Sequence, residues 1–259
     1  MIQECFRHVR GIGPKTASLL NERGFASWDD CLGREQELPF NGGRRKRFIQ
    51  EMRLSREALQ KNDIGYFISA FPKAEHWRIL ARYFNSATFV DVETTGLSRY
   101  FNHATVITAF HNRAIHTFRY GENLDEFLIL ADDAELLATF NGNCFDIPFL
   151  EKTFNVPSIH CPHIDLRWIA WHRGYSGGLK YIERGMGMRR PAFLDGIDGF
   201  EAVGLFHQWQ VGDAGAGETL ARYCAADTIA TYLVAERLLV EAGCRIELSD
   251  PKEMYTLIS

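Results

Sequence analysis

The chain has 259 residues, of which 46% are hydrophobic, and a formal net charge of −4. This length can bury two cores, one small and one of ordinary domain size. The six cysteines, at positions 5, 31, 144, 161, 224 and 244, form no Cys-x-x-Cys pair, which argues against a zinc ribbon or a disulfide framework. No apolar run approaches about twenty residues and no signal-peptide pattern opens the sequence, so we expect a cytoplasmic protein without membrane spans.

Charge divides the chain into two parts of opposite sign. Residues 1–85 contain 15 lysines and arginines against 10 acids, whereas residues 86–259 contain 14 against 23. We therefore expect two domains, a basic one at 1–85 and an acidic one at 86–259. The basic domain is suited to a polyanionic partner.

The basic domain contains a Gly-x-Gly turn before a short helix, within residues 9–20. Glycine allows a tight turn, proline suits the first turn of a helix, and the exposed N–H groups there can bind phosphate. The segment resembles the helix-hairpin-helix motif, which implies a small all-α domain that binds the DNA backbone without reading sequence. The contact residues that this resemblance implies are Gly11, Gly13, Lys15 and Thr16. A turn that serves only packing is the alternative.

The densest basic run follows a Gly-Gly pair and consists of Arg44, Arg45, Lys46 and Arg47. Such a run is usually a solvated loop. Next to a hairpin it would add phosphate contacts, and each contact would make binding more sensitive to salt. We therefore include these four residues among the expected nucleic-acid contacts.

Hydrophobic patterns predict the elements of the second domain in chain order. They are a linking helix at 75–85, a strand containing Asp91, strands at 105–111 and 114–120, a helix at 124–131, a strand ending at Phe140, a helix after Asp146, a short strand at Ile164, and helices near Leu179 and Leu220. Three strands in succession, followed by alternating strands and helices, predict an α/β mixed sheet with helices on both faces.

Two acids share one face of the first strand of this domain. Residues 87–92 are rich in β-branched and aromatic side chains, whereas acids are rare in strands. Because side chains alternate along a strand, Phe89, Asp91 and Glu93 point to the same side. Two carboxylates about 4 Å apart repel by roughly 4 kcal/mol at an effective dielectric near 20, so we expect a cation, such as a divalent metal ion, between them.

Two further acids lie in predicted helices. Asp146 opens the helix that follows the turn at Asn141, and Asp227 lies on the apolar stripe of the long C-terminal helix. Tyr223 and Asp227 are one turn apart, about 6 Å along the helix axis, so both can reach one point. Each residue also has an ordinary explanation: Asp146 as a helix cap, Asp227 as the partner of a nearby arginine, and Tyr223 as a core aromatic.

Asp91 and Glu93, then Asp146, then Tyr223 with Asp227 resemble the three motifs of the DEDD exonuclease superfamily, the ribonuclease-H-like nucleases that include polymerase proofreading domains. The Tyr-x-x-x-Asp spacing is that of its tyrosine branch, since the residue five positions before Asp227 is not histidine. The resemblance covers roughly residues 86–244 and is nearest to the YprB-like predicted nucleases. Residues 163–167 and 178–183 are lesser matches to a short strand and a helix of the family.

The resemblance implies a metal-dependent 3′-to-5′ exonuclease with two Mg²⁺ or Mn²⁺ ions about 3.5 to 4 Å apart. Asp91 would bridge both ions, Glu93 and Asp227 would complete the site of the ion that generates the nucleophile, and Asp146 would hold the second ion. Tyr223 would orient the attacking water rather than take its proton, because an unperturbed phenol titrates at about pH 10.

The implied partner is nucleic acid, single-stranded or 3′-ended DNA in preference to RNA. Thr94 and Asn141 are further expected contacts, and the glycine-rich segments 174–178 and 192–217, which lack clear periodicity, are expected to flank the substrate channel. Two other functions stay open: a nucleic-acid-binding protein that keeps the fold without turnover, and a structure-specific endonuclease. The oligomeric state also stays open.

Overall fold

The computed structural model describes residues 1–258, which fold as two compact units. The first unit is Met1–Arg82, and the second begins at Tyr83. The division lies three residues before the boundary expected from charge at residue 85. No helix within residues 1–258 is long and apolar enough to cross a membrane.

Regular structure in the first unit is entirely helical. Its α-helices are Pro14–Glu22 (α1), Trp28–Gly33 (α2), Gly42–Gln60 (α3), Ile64–Ala70 (α4) and His76–Tyr83 (α5), the last of which ends one residue into the second unit. Aromatic side chains fill the core, where the rings of Trp28 and Phe67 stack with centroids 6.0 Å apart. Large buried aromatics supply the apolar area that a unit this small needs.

The helix-hairpin-helix motif joins two short helices through its glycine turn, and here only the helix after the turn is an α-helix. Gly11 adopts a left-handed φ of +86°, Gly13 is the N-cap of α1, and Pro14 is its first residue. Before the turn, the chain forms only a 3₁₀ helix at Ile2–Glu4 and then turns, without an α-helix in residues 5–13. The helix-hairpin-helix assignment therefore remains a proposal.

The basic run lies in a helix and not in a loop, which is the usual setting of such a run. Arg44, Arg45, Lys46 and Arg47 lie in the first turns of α3, a helix of 19 residues. Arg45 donates hydrogen bonds to the carbonyl oxygens of Phe40 and Leu38 and to Gln36, so it fastens the preceding loop to the helix.

The second unit is built on one mixed five-stranded sheet with the order β3-β2-β1-β4-β5. Its strands are Ala87–Thr94 (β1), Ala104–His111 (β2), Ala114–Arg119 (β3), Leu136–Thr139 (β4) and His163–Asp165 (β5). Its helices are Glu126–Asp133 (α6), Asp146–Phe154 (α7), Leu166–Trp171 (α8), Leu179–Gly185 (α9), Gly199–Gln210 (α10), Ala214–Glu241 (α11) and Pro251–Tyr255 (α12). β1, β2 and β3 are antiparallel, whereas β4 and β5 run parallel to β1.

The two faces of β1 meet different helices, as the alternation of its side chains predicts. Val90 and Val92 lie in the core cluster with Phe127 of α6 and Leu150 of α7. On the opposite face, Phe89 packs on Tyr232 of α11, with ring centroids 5.1 Å apart. The acids of β1 therefore face α11, the helix that contains Asp227.

Residues 192–217, which lack clear periodicity in the sequence, contain an α-helix. α10 begins after Asp198, whose side chain accepts hydrogen bonds from the N–H groups of Phe200 and Glu201, and it packs against α11. Gly217, in the first turns of α11, is required by packing, because a Cβ there would lie 2.7 Å from the Trp209 side chain. Gly217 therefore permits the close approach of Trp209 to α11.

Candidate functional site

Three carboxylates from β1 and α11 converge on one point. Ligand oxygens of Asp91, Glu93 and Asp227 all lie within 4.8 Å of one another. Asp91 and Glu93 are two residues apart on one strand face, and Asp227 reaches them from the helix that packs on that face. A set of carboxylate oxygens at this spacing is the donor set that hard divalent cations prefer, so the three acids fit a metal ion.

A cavity of about 530 Å³ opens over these acids and includes a fourth one. Asp146 is 4% exposed and is the first residue of α7. It does not cap that helix: the N-cap position is Phe145, and no side-chain cap bond is formed there. The carboxyl group of Asp146 is therefore directed to the cavity that Asp91, Glu93 and Asp227 also line.

Burial and mutual repulsion raise the pKa values of these acids. Burial, followed by the charges of Asp227 and Asp146, raises the pKa of Asp91 and of Glu93 well above the ordinary range. Burial is also the main reason that the pKa of Asp146 rises to about 7. Positive charge close to the cluster would relieve this repulsion, since opposite charges favour the ionised form of a carboxyl group.

Tyr223 lies one turn before Asp227, with its hydroxyl held by Lys180. The Nζ atom of Lys180 donates to the phenol oxygen of Tyr223 at 2.8 Å and to the carbonyl oxygen of Ile197 at 2.7 Å. Burial, followed by the charge of Asp227, raises the pKa of Tyr223. The phenol therefore keeps its proton and, while it accepts from Lys180, is able to donate to a third group.

A partly buried arginine neutralises one of the four acids. Arg190 donates to Asp227 Oδ1 at 2.5 Å and to Glu183 Oε2 at 2.8 Å. Glu183 also accepts a hydrogen bond from the hydroxyl of Tyr255, in α12. Burial lowers the pKa of Arg190, but the charges of Asp227 and Glu183 raise it further, so the guanidinium stays charged. Asp227 is thereby held in one orientation from its Oδ1 side.

The thiol group of Cys224 contacts Asp91. The Sγ atom of Cys224 lies 3.4 Å from the carbonyl oxygen of Asp91 and 3.5 Å from its Oδ2, while Thr108 donates to that sulfur at 3.2 Å. Thr108 also shares a 2.6 Å hydrogen bond with Thr228. These hydrogen bonds join Thr108 of β2 to Cys224 and Thr228 of α11, so they hold the strand against the helix next to the acids.

The family model described as the RNase_H superfamily matches residues 88–239, more than half of the chain and all of the elements that carry the four acids. The chain belongs to the RNase_H superfamily. The mixed sheet of the second unit is the fold of this superfamily, which confirms the α/β ribonuclease-H-like fold expected from the sequence. Membership supports a hydrolase that cleaves nucleic acid with the help of divalent metal ions.

Solved structures with a similar fold include the family B DNA polymerase from the hyperthermophilic archaeon Pyrobaculum calidifontis, at 17% identity and a TM-score of 0.50 over 59% of this chain. The match covers 24% of that polymerase, so the chain spans about a quarter of its length. A structure described as the apo form of a nuclease matches at 19% identity and a TM-score of 0.43, covering 69% of this chain and 82% of the other. No curated protein matches the sequence.

In this member of the superfamily, the structure also brings two of the expected nucleic-acid contacts to the cavity. Thr94 and Asn141 both line it. Asn141 has a left-handed φ of +72°, and its side-chain oxygen accepts a hydrogen bond from Arg167. Asp165 accepts hydrogen bonds from the backbone N–H groups of Asn141 and Asn143, which fixes the turn. The eight other expected contacts belong to the first unit and not to this cavity.

The sequence did not single out Lys180 and Arg190 as parts of the site. Lys180 belongs to the segment 178–183, which resembles a helix of the superfamily. The lysine in that helix was the one feature of the sequence that could have indicated a contact with the site. Arg190 lies between α9 and α10, where no periodic pattern places a side chain. Leu97 and Phe200, which line the cavity, are 89% and 84% exposed and were also missed.

Proposed function

We propose that the chain is a 3′-to-5′ exonuclease that hydrolyses phosphodiester bonds of nucleic acid, DNA in preference to RNA, with two Mg²⁺ or Mn²⁺ ions. The observation that carries this proposal is the convergence of Asp91, Glu93 and Asp227 within 4.8 Å in a member of the RNase_H superfamily. The position of Asp146 in the same cavity, and of Tyr223 one turn before Asp227, supports a site of the DEDD tyrosine branch. The direction of degradation rests on the resemblance of these motifs.

The four acids would hold the ions, with Asp91 between them. Glu93 and Asp227 would complete one ion site, and Asp146, which lines the same cavity from the start of α7, would serve the other. Bound divalent ions supply the positive charge that activates water and stabilises the negative charge of the transition state. The raised pKa values of Asp91, Glu93 and Asp146 support this assignment, because unmatched buried carboxylates are costly and a cation relieves the cost.

Tyr223 would orient the attacking water. Its oxygen is occupied by the ammonium group of Lys180, so the phenol proton is the group left to interact with a water molecule or with a phosphate oxygen. Because its pKa is raised, the phenol would act by position and hydrogen bonding, not as a base.

The walls of the cavity suit unpaired bases. Leu97, Phe145 and Phe200 line it beside the acids, and Leu97 and Phe200 are almost fully exposed. Beyond Leu97, the loop between β1 and β2 exposes Tyr100 and Phe101, at 72% and 89%. Stacking on exposed aromatic faces holds single-stranded nucleic acid without regard to sequence. This favours a strand that enters the site unpaired.

The first unit would hold the nucleic-acid backbone. Gly11, Gly13, Lys15 and Thr16 surround the start of α1, where backbone N–H groups are available to a phosphate. In α3, Arg44 is engaged by the carbonyl oxygen of Gly11 and by the Phe40 ring, and Arg45 by its own loop. Lys46 and Arg47 form no ion pair or side-chain hydrogen bond within residues 1–258, so they are the side chains most available to phosphates.

Degradation of end-labelled oligonucleotides tests the proposal. A single strand labelled at its 5′ end should be shortened stepwise from the 3′ end in Mg²⁺ or Mn²⁺, and not in EDTA. Asp91→Asn should abolish shortening, whereas Asp133→Asn, an exposed acid at the end of α6, should leave it unchanged. Full activity of Asp91→Asn would exclude this site.

Two further substrates and a binding measurement separate the alternatives. Cleavage of a circular single strand, which has no 3′ end, would identify an endonuclease. Tight, salt-dependent binding without any cleavage would identify a nucleic-acid-binding protein. A matched RNA strand, degraded more slowly than the DNA strand, would support the preference for DNA.

A further inference from the structure

A second cavity, of about 880 Å³, lies beside the candidate site and shares no lining residue with the first cavity. It is formed by α9 and by the chain that follows this helix as far as Ile197. Its volume lies within the range of about 300–1,000 Å³ that is typical of pockets for small molecules.

The lining of the second cavity is strongly basic within an acidic unit. Residues 86–259 contain 14 lysines and arginines, and four of these line this one cavity: Lys180, Arg184, Arg189 and Arg190. Only two acids, Glu183 and Asp195, accompany them. Glu183 is 2% exposed and is already bound by Arg190 and Tyr255, so it offers little charge to the cavity. The cavity therefore attracts anions although the unit as a whole repels them.

Part of this positive charge has no partner. Within the part of the chain that the structure describes, Arg184 and Arg189 are exposed and form no ion pair. The Nη1 atom of Arg190 is buried and makes no hydrogen bond to residues 1–258. A buried donor without an acceptor is costly, and guanidinium groups match the oxygens of phosphate in two-point hydrogen bonds. A phosphate group in the cavity would pair with the exposed guanidinium groups of Arg184 and Arg189 and neutralise their charge.

Hydrogen bonds also connect the lining of the second cavity to two residues of the candidate site, Asp227 and Tyr223. Arg190 binds Asp227, and Lys180 binds the hydroxyl of Tyr223. We propose that the second cavity is a binding site for a phosphate group of a nucleotide, either in the strand being degraded or in the mononucleotide that is released. The assignment to a nucleotide rests on the proposed nuclease function, whereas the binding of phosphate as such does not.

Phosphate binding is measured on the full-length protein in EDTA, so that the readout does not depend on turnover. The probes are inorganic phosphate and deoxyadenosine 5′-monophosphate. Calorimetry and thermal unfolding measure the binding of each probe. Arg184→Gln combined with Arg189→Gln should weaken binding of both probes by roughly tenfold or more. The control removes the same charge elsewhere in the unit, at two exposed arginines: Arg113→Gln combined with Arg245→Gln should bind as the wild type does.

Equal affinity of the cavity variant and the wild type for both probes would overturn the proposal, as would equal weakening in the control. Activity assays then separate the two sources of phosphate. If the cavity holds the released nucleotide, the monophosphate should inhibit wild-type hydrolysis and inhibit the cavity variant less. If it holds the strand, the cavity variant should show a raised KM for oligonucleotides and unchanged inhibition. Phosphate binding in a protein without nuclease activity would uphold the site and contradict only the proposed function.

Discussion

Of the four acids around the first cavity, Asp227 has a fixed cationic partner, whereas Asp91, Glu93 and Asp146 form no ion pair within residues 1–258. Asp91 and Glu93 are half-buried and Asp146 is buried, and no cationic side chain is paired directly with any of the three, although the charges of Lys180 and Arg190 lower the pKa of Glu93. Because removing a charge from water costs several kcal/mol, these are the groups whose ionisation depends most on bound cations. Asp227 differs from these three acids, because Arg190 occupies its Oδ1 atom and leaves only its Oδ2 atom for a metal ion.

The raised pKa of Asp146 gives a pH dependence to the stability of the metal-free protein. Folding raises this pKa from 3.8 to about 7, chiefly by burial, so the folded state binds the proton more tightly than the unfolded state. The stability that this proton provides is complete below about pH 3.8 and is lost as pH rises towards about 7. Asp146→Asn, which stays neutral, should match the wild type at about pH 3 and exceed it by up to about 4 kcal/mol at about pH 8. Urea unfolding in EDTA measures this difference, and a difference independent of pH would contradict it.

Tyr223→Phe tests the role of the phenol. Turnover should fall by about tenfold, the effect of one lost hydrogen bond in the transition state, while the Mn²⁺ concentration for half-maximal activity stays the same. Tyr232→Phe removes a hydroxyl from the same helix and should leave turnover unchanged. Wild-type turnover in Tyr223→Phe would remove the proposed role.

The four acids could be predicted from the sequence because each belongs to an element with a clear pattern: alternation in β1, a turn before α7, and an apolar stripe in α11. Arg190 could not be predicted in the same way. It lies between helices, and its partner Asp227 is 37 positions along the chain, so only the fold brings them together.

At the scale of elements, the contact between α10 and α11 determines the shape of the site. α10 supplies Phe200 to the first cavity, and the chain leading to α10 supplies Asp195 and Ile197 to the second. The sequence did not predict α10, because its glycines weaken the helical pattern and packing against α11 compensates for them. Around Gly11, the local turn chemistry was predicted correctly, whereas the residues before it form turns and no α-helix.

Two glycine substitutions test the packing of these helices. Gly217→Ala would place a Cβ 2.7 Å from the Trp209 ring, and we expect a destabilisation of about 1–3 kcal/mol. Gly204→Ala, at an exposed position inside α10 with nothing within 4 Å, should stabilise by about 0.5–1 kcal/mol. Urea unfolding of both variants measures these effects. Equal effects would show that helix propensity, rather than the Trp209 contact, decides the position.

At the scale of the whole molecule, charge and fold divide the chain at nearly the same place. The basic part predicted at 1–85 corresponds to a helical unit that ends at Arg82, and the acidic part to the unit that holds the four acids. Charge could indicate this division because it is summed over many residues, whereas the last residue of the first unit, Arg82, lies inside α5 and depends on packing contacts.

This division of charge predicts how salt affects binding of nucleic acid. Lys46→Gln combined with Arg47→Gln should weaken binding to all sequences alike and reduce the slope of log affinity against log salt by up to about 1.4 for a single strand. Arg113→Gln combined with Arg245→Gln should leave the slope unchanged. Fluorescence anisotropy at several salt concentrations, in EDTA, gives both slopes, and an unchanged slope in the first variant would exclude α3 from the contact surface.

The most direct test of the metal site is the free energy of unfolding with and without Mn²⁺. Because the acids meet only in the folded state, Mn²⁺ at a hundred times its dissociation constant should stabilise the wild type by about 2.7 kcal/mol, and Asp91→Asn should lose most of this gain. Wild-type stability that does not change in millimolar Mn²⁺ would contradict a metal site at Asp91, Glu93, Asp146 and Asp227.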